Sequence, residues 1–268
     1  MPGQRTADLE HARGIMPQLE CCLGDSRHRR RGRLHDRSTA YVLAMLAVAK
    51  REPSAFLLAG QLAALLVYPL LNGSAGRAAF SIVGIALLGL VVRAVHGTPG
   101  LTAVALVLAL PASVMLLIQA ISGSEDLLPY SSALEAVLYF YAAGALIAYM
   151  LADHEVTRDE LFAVGATFTL VAWGFAYTYV VCQAIEPETF TAAVDPTGER
   201  SWMELLFMSF TTLSSTGLGD VIPVKSFGRA LVMIEQVVGL AFVAMLVSRL
   251  VGLTVLRGRI RRDAGDQR

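Results

Sequence analysis

The chain has 268 residues, 55% hydrophobic and 16% charged, against about 45–50% and about 25% in ordinary soluble domains. The excess comes in runs of roughly 18–25 residues, the length that crosses a hydrocarbon layer of about 30 Å, so a soluble domain is excluded. The 22 basic and 22 acidic residues cancel, which makes net charge uninformative and leaves the sorting of charges along the chain as the signal. Neither a nucleic-acid partner nor a small-molecule substrate is expected.

Residues 1–38 are polar, carry SRHRRRGRLHDR and lack apolar periodicity, which predicts a disordered basic cytoplasmic tail. The basic run serves either as a topology signal or as an attraction for anionic lipid. A cleaved signal peptide is not expected: the first apolar run, TAYVLAMLAVA, lies far from the start and ends in KRE. That run is too short to span, and residues 39–53 are expected to lie along the inner interface as a helix.

Six spans follow, at 54–71, 78–93, 101–122, 131–152, 161–185 and 227–252. An even number puts both termini on one side. With both inside, only Arg77, Arg200, Lys225 and Arg229 of all the Lys and Arg residues lie outside, which predicts cytoplasmic termini in a multi-pass protein of the cell membrane. The loops 122–130 and 186–200 are acidic or neutral and fit the outer side. Cys21, Cys22 and Cys182 imply no disulfide framework.

The first four spans, 54–153, form a four-helix transmembrane domain of Ala, Leu, Val and Gly, the mixture that packs helix on helix in lipid. Pro69 and Pro111 are expected to kink their helices, which neighbours tolerate by re-satisfying the backbone. The fourth span holds Glu135 and no Lys or Arg, so it lacks the arginine ladder of a voltage sensor. The linker DHEVTRDE (153–160) begins like a zinc-protease HExxH, but Arg158 occupies the second ligand position and the motif fails. No nucleophile–base spacing appears elsewhere; neither an enzyme nor a cofactor is expected.

The informative stretch is TTLSSTGLGDVIPV, residues 211–224. It is not a dinucleotide loop, because Ile222 stands where the third glycine belongs and a helix precedes it. Upstream, SWME (201–204) reads as a capping box, with Ser201 as cap and Glu204 three residues on. It opens a helix of about 202–213, too short to cross the bilayer. The chain then returns to the outer side before the sixth span. Such irregular backbone at membrane depth survives only where it is buried in protein or lines water. The polar stretch therefore lines a path.

F-T-T-L-S-S-T-G-L-G-D, followed by P-V and a glycine-bearing inner helix, resembles the pore signature of the potassium channel superfamily. The usual filter Thr-Val-Gly-Tyr-Gly-Asp is matched by Ser215, Thr216, Gly217, Leu218, Gly219 and Asp220, and Gly239 falls where those channels carry a hinge glycine. The whole chain looks like bacterial six-span ion channels without gating charges. The resemblance implies an all-α membrane protein with six transmembrane helices, a re-entrant pore helix and a selectivity-filter loop, assembled as a homotetramer. It places a pore domain at 154–252 and a cytoplasmic tail at 253–268.

The residues fit that role on physical grounds. A dehydrated cation needs oxygen ligands, which rings of backbone carbonyls supply. Aiming successive carbonyls inward requires alternating backbone conformations, for which Gly217 and Gly219 are suited by their tolerance of positive φ. Ser215 would add a hydroxyl ring, Leu218 would pack behind the filter, and Thr212, Ser214 and Asp220 would support it. The C-terminal end of the short helix favours a cation. One chain makes one wall, so a closed path takes four copies, with potassium as the permeant ion.

Serine, threonine and leucine replace the usual threonine, valine and tyrosine, and the lost tyrosine hydroxyl removes a bond that holds the filter's diameter. Potassium selectivity is expected, with a less selective cation pore as the nearest variant. An ion-coupled secondary transporter is the alternative from another class, but it would show a second re-entrant segment. A scaffold protein would leave the GLG loop unexplained. Glu235, in the sixth span four residues before Gly239, either faces the cavity and concentrates cations or is hydrogen-bonded structure. Trp173, Tyr177 and Tyr179 are read as packing and outer-interface anchors. The 16 residues after Gly252 are too few for a ligand-binding domain, which leaves the gating stimulus open.

Overall fold

Five of the described helices are long and apolar enough to cross a membrane, and the chain is an all-α, multi-pass membrane protein. The computed structural model describes residues 53–70, 85–86, 89–90, 99–123, 126–152 and 158–266. The basic tail 1–38, the interfacial helix at 39–53 and the span at 78–93 lie outside the described residues, save for Pro53 and the helical pairs 85–86 and 89–90.

In chain order, α1 is Pro53–Val67, α2 is Pro99–Ser122, α3 is Leu128–Ala152 and α4 is Arg158–Ile185. A short strand β1 (Phe190–Ala192), the helix α5 (Trp202–Leu213), a strand β2 (Val221–Pro223) and α6 (Ser226–Asp266) complete it. Pro69 does not kink α1. The helix ends at Val67 and gives way to a 3-10 turn, Tyr68–Leu70, around the proline, because Pro lacks an N–H and crowds the residue before it. Pro111, by contrast, is carried inside a continuous α2. The last helix also exceeds its predicted end at 252, running on to Asp266.

Helix α4 is the hub, packing against α1, α3, α5 and α6. Of its apolar window 67% is buried, against 17% for that of α6, so one chain leaves most of the α6 window uncovered. Small residues let neighbours approach α4 closely: Phe140 of α3 lies over Gly174, and Leu58 of α1 lies over Gly165. Two polar contacts fasten the end where α4 begins. Asp159 accepts the Ser54 N–H at 3.1 Å and its hydroxyl at 3.0 Å, which gives one otherwise unpaired N–H in the first turn of α1 a partner. Arg249 of α6 bonds both carboxylate oxygens of Glu160, at 3.2 and 3.1 Å.

At the other end an aromatic cluster ties the peripheral helices to the start of α5. Tyr139 stacks on Tyr177 with ring centroids 5.6 Å apart, and Trp173 meets Trp202 edge-on at 5.2 Å. Tyr68 in turn lies 5.4 Å from Trp202. Trp173, Tyr177 and Tyr179 are all buried. Of the two roles read for them, packing is the one their surroundings show, since α3, α5 and the β1 segment cover them.

Candidate functional site

The site is the turn between α5 and β2. Helix α5 begins as the sequence predicts: the Ser201 hydroxyl accepts the Glu204 N–H at 3.3 Å, and the Glu204 carboxylate accepts the Ser201 N–H at 2.7 Å. Burial pushes the Glu204 carboxyl up, but the two bonds from Ser201 and the charge of Arg200 outweigh it and hold it below the ordinary value. Arg200 itself is buried and donates to the carbonyls of Val194 and Gly198 at 3.4 and 3.0 Å. The segment before α5 thus folds around one guanidinium.

The far end of α5 is wrapped by the loop that leaves it. The N–H groups of Thr216 and Gly217 both bond the Thr211 carbonyl, at 2.9 and 3.0 Å. Ser215 donates to the Thr212 carbonyl at 3.0 Å. The Thr216 hydroxyl reaches the same Thr211 carbonyl at 3.1 Å, and the Ser214 and Thr216 hydroxyls lie 2.9 Å apart. Terminal helix carbonyls that would otherwise lack partners are satisfied this way. Thr212 is buried beneath the loop and Ser214 is exposed within it, while the Thr211 carbonyl takes most of the loop's bonds, a role the sequence reading missed.

The backbone is left-handed at two residues either side of Thr216: Ser215 has φ +59° and Gly217 φ +65°. A left-handed serine costs roughly 1–2 kcal/mol, and strain of this kind gathers at functional sites. Gly219 corrects the expectation: it is not at positive φ. Its lack of a side chain serves a close approach instead, since an added Cβ would come within 3.2 Å of the Val221 carbonyl oxygen. Its N–H turns back to the Gly217 carbonyl at 3.1 Å.

Residues 214–220 are all exposed on the single chain, Asp220 among them. Leu218 is 74% exposed, so the prediction that it packs behind the loop finds no partner within one chain. Beyond Asp220, β2 pairs antiparallel with β1, Thr191 opposite Ile222 and Ala192 opposite Val221. No alternating pattern announces either three-residue strand, and the sequence reading missed both.

Behind α5 lies α6. Gly239 is buried against the C-terminal residue of α5: an added Cβ would overlap the Leu213 carbonyl oxygen and come within 3.0 and 3.1 Å of its carbonyl carbon and Cα. One turn earlier, Glu235 is fully buried. Its carboxyl accepts from the Tyr179 hydroxyl of α4 and is hydrogen-bonded to the Ser209 hydroxyl of α5. The cavity-facing alternative for Glu235 is therefore overturned, because its helix face is turned toward α4 and α5. Sequence supplied the shared face of Glu235 and Gly239 but not its direction, and it missed Ser209 as a partner.

Comparison with known proteins places these elements. The family described as "Ion channel" (Ion_trans_2) matches residues 165–255, which run from within α4 through α5 and the loop into α6. The chain is 32% identical over 119 residues to "Protein LctB" of Geobacillus stearothermophilus, covering 43% of this chain and 88% of that protein. It is 30% identical over 103 residues to "Protein LctB" of Bacillus caldotenax, covering 37% and 76%. No solved structure gives a significant match. A relative matched over most of its own length, and a family match laid across α4, α5 and α6, lead to one conclusion: the chain belongs to the ion-channel family, as a member of the potassium channel superfamily.

Proposed function

We propose that the chain is one subunit of a homotetrameric, potassium-selective channel of the cytoplasmic membrane, with both termini inside. Potassium passes down its gradient through backbone carbonyls of Ser215, Thr216, Gly217, Leu218 and Gly219, with Thr212, Ser214 and Asp220 in support. In this reading α4, α5 and α6 are the outer, pore and inner helices of a pore domain at 154–252, and Gly239 is its gating hinge. The helices at 54–153 surround it. No cofactor is assigned.

The observation that carries the reading is the turn after α5. A capped helix too short to span ends in an exposed loop whose backbone alternates at Ser215 and Gly217, between two helices long enough to span. Alternation of this kind turns successive carbonyls toward one side, where an ion's hydration shell can be replaced. The exposure of residues 214–220 and of most of the apolar window of α6 supports further copies of the chain around the same axis.

The test is ion flux from liposomes holding the purified protein, under potassium or sodium gradients, with Gly217→Ala beside it. A Cβ at φ +65° is strained, so the expected result is potassium flux above sodium flux, abolished by the substitution. Equal fluxes that the substitution also abolishes would leave a cation pore without potassium selectivity. Flux that requires a second ion or a pH gradient would replace the channel by a coupled transporter.

A further inference from the structure

Glu235 is a buried carboxyl in the membrane part of α6, and among the described residues no Lys or Arg is paired with it. The residues around it decide its state by donor count. Ser209 has one hydroxyl hydrogen, yet two oxygens lie within its reach: the Ala172 carbonyl of α4 at 2.8 Å and Oε1 of Glu235. Tyr179 uses its own hydrogen on Oε2. If Glu235 carries a proton, every donor finds one acceptor. Glu235 donates to Ser209, Ser209 to Ala172 and Tyr179 to the free carboxyl oxygen. If Glu235 is ionised, a buried charge shares one hydroxyl hydrogen with a carbonyl and has no cation beside it, an expensive arrangement.

The position of this chain of bonds gives it a purpose. Ser209 stands one turn before Leu213, and Glu235 one turn before Gly239, which lies against Leu213. Helix α6 therefore touches α5 at two successive turns of both helices, one contact polar and one of close approach. The residue after Leu213 enters the loop whose N–H groups fold back on Thr211 and Thr212. A shift or rotation of α6 at Glu235 is passed to the entrance of that loop within one helical turn.

We propose that Glu235, as a proton-bearing donor to Ser209, is a positioning residue for ion selection: it fixes the height and orientation of α5, and hence the spacing of the carbonyls that follow. This rests on the reading of residues 215–219 as the filter. Glu235 acts through Ser209 and Leu213 and touches no ion. Tyr179 holds the same carboxyl to α4, so the three helices of the pore domain meet at one group.

The test uses the full-length protein in liposomes and reads the ratio of potassium to sodium flux, with Gly217→Ala as the control on the pore itself. Glu235→Gln keeps the ratio within about twofold of wild type, because an amide donates to Ser209 and accepts from Tyr179 in the same places. Glu235→Ala and Ser209→Ala each lower the ratio about tenfold, near the lower end of what loss of a group orienting ion ligands does. The double variant falls no further than either single one, as expected of two members of one contact. Ser209→Ala removes one oxygen and keeps the question open to measurement if Glu235→Ala fails to assemble. An unchanged ratio in Ser209→Ala overturns the positioning role. A Glu235→Gln ratio as low as that of Ser209→Ala overturns the proton-bearing donor. Flux that survives Gly217→Ala, or a wild-type ratio of one, defeats the filter reading instead, and the positioning role with it.

Discussion

Gly239 in the membrane part of α6 lies directly on the backbone of Leu213, the last residue of α5, with room for a hydrogen and no more. Its glycine identity is explained by this close approach in a continuous helix. Gly239→Ala is expected to push α5 and α6 apart at the loop entrance and to destabilise the protein by about 1–3 kcal/mol, the range for overpacked interiors. Gly144→Ala in α3, where an added Cβ meets nothing within 4 Å, is the matched control and should be neutral or slightly stabilising. Unfolding in detergent compares the two. Equal melting temperatures would show that α6 can yield at this point.

The pairing of β1 with β2 predicts a role for Phe190. Its ring is buried, sits edge-on to Tyr179 at 5.2 Å and belongs to the residue opposite Pro223. The strand that follows the candidate filter is thereby held down on α4. Phe190→Ala should cost about 3–5 kcal/mol and expose the β2 end of the loop to protease. Unchanged stability together with unchanged proteolysis would mean that β2 is held without this ring.

At the opposite end, Arg249 and Glu160 form a nearly buried pair, with side chains 13% and 6% exposed. Removing one side chain takes from the other, nearly buried, this charged contact. Arg249→Met alone should therefore destabilise by about 3 kcal/mol, whereas Arg249→Met combined with Glu160→Gln should recover much of the loss. A double-mutant cycle by denaturant unfolding reads the coupling. Additive single effects would remove this pair as the link between α4 and α6.

The capping box of α5 has a pH signature. The Glu204 carboxyl is held below its ordinary value in the folded chain, so the stability it contributes is present above the usual carboxylate range. That contribution is lost as pH falls through the folded-state value. Ser201→Ala should cost about 1 kcal/mol at neutral pH. The gap between variant and wild type should narrow in acid, once Glu204 is protonated in both. Denaturant midpoints at neutral pH and at about pH 3 check it; a gap that widens in acid would reverse the assigned sign.

Much of the fold was legible because its signals are local. The length of the apolar runs marks α2, α3, α4 and the membrane part of α6, since one run reports one crossing. The Ser201–Glu204 box marks the start of α5, because a cap and its partner are three residues apart. Gly217 marks the turn, because a positive φ is a property of one residue.

The tertiary structure alone decided what depends on partners far along the chain. Glu235 meets Ser209 and Tyr179 across 26 and 56 positions, and only the rotation of α6 against α4 and α5 brings them together. Period and composition place Glu235 and Gly239 on one face but cannot say which neighbour that face meets. The strands β1 and β2 exist only as a pair, each being too short to carry a pattern of its own. Ser215 takes the left-handed conformation assigned in advance to glycine because the Thr211 and Thr212 carbonyls bind its neighbourhood, and Gly219 is needed for room beside Val221. Local sequence determined which segments cross and where the chain turns back. Packing between segments determined which way each face points, because contact energies over such separations are not written in any single segment.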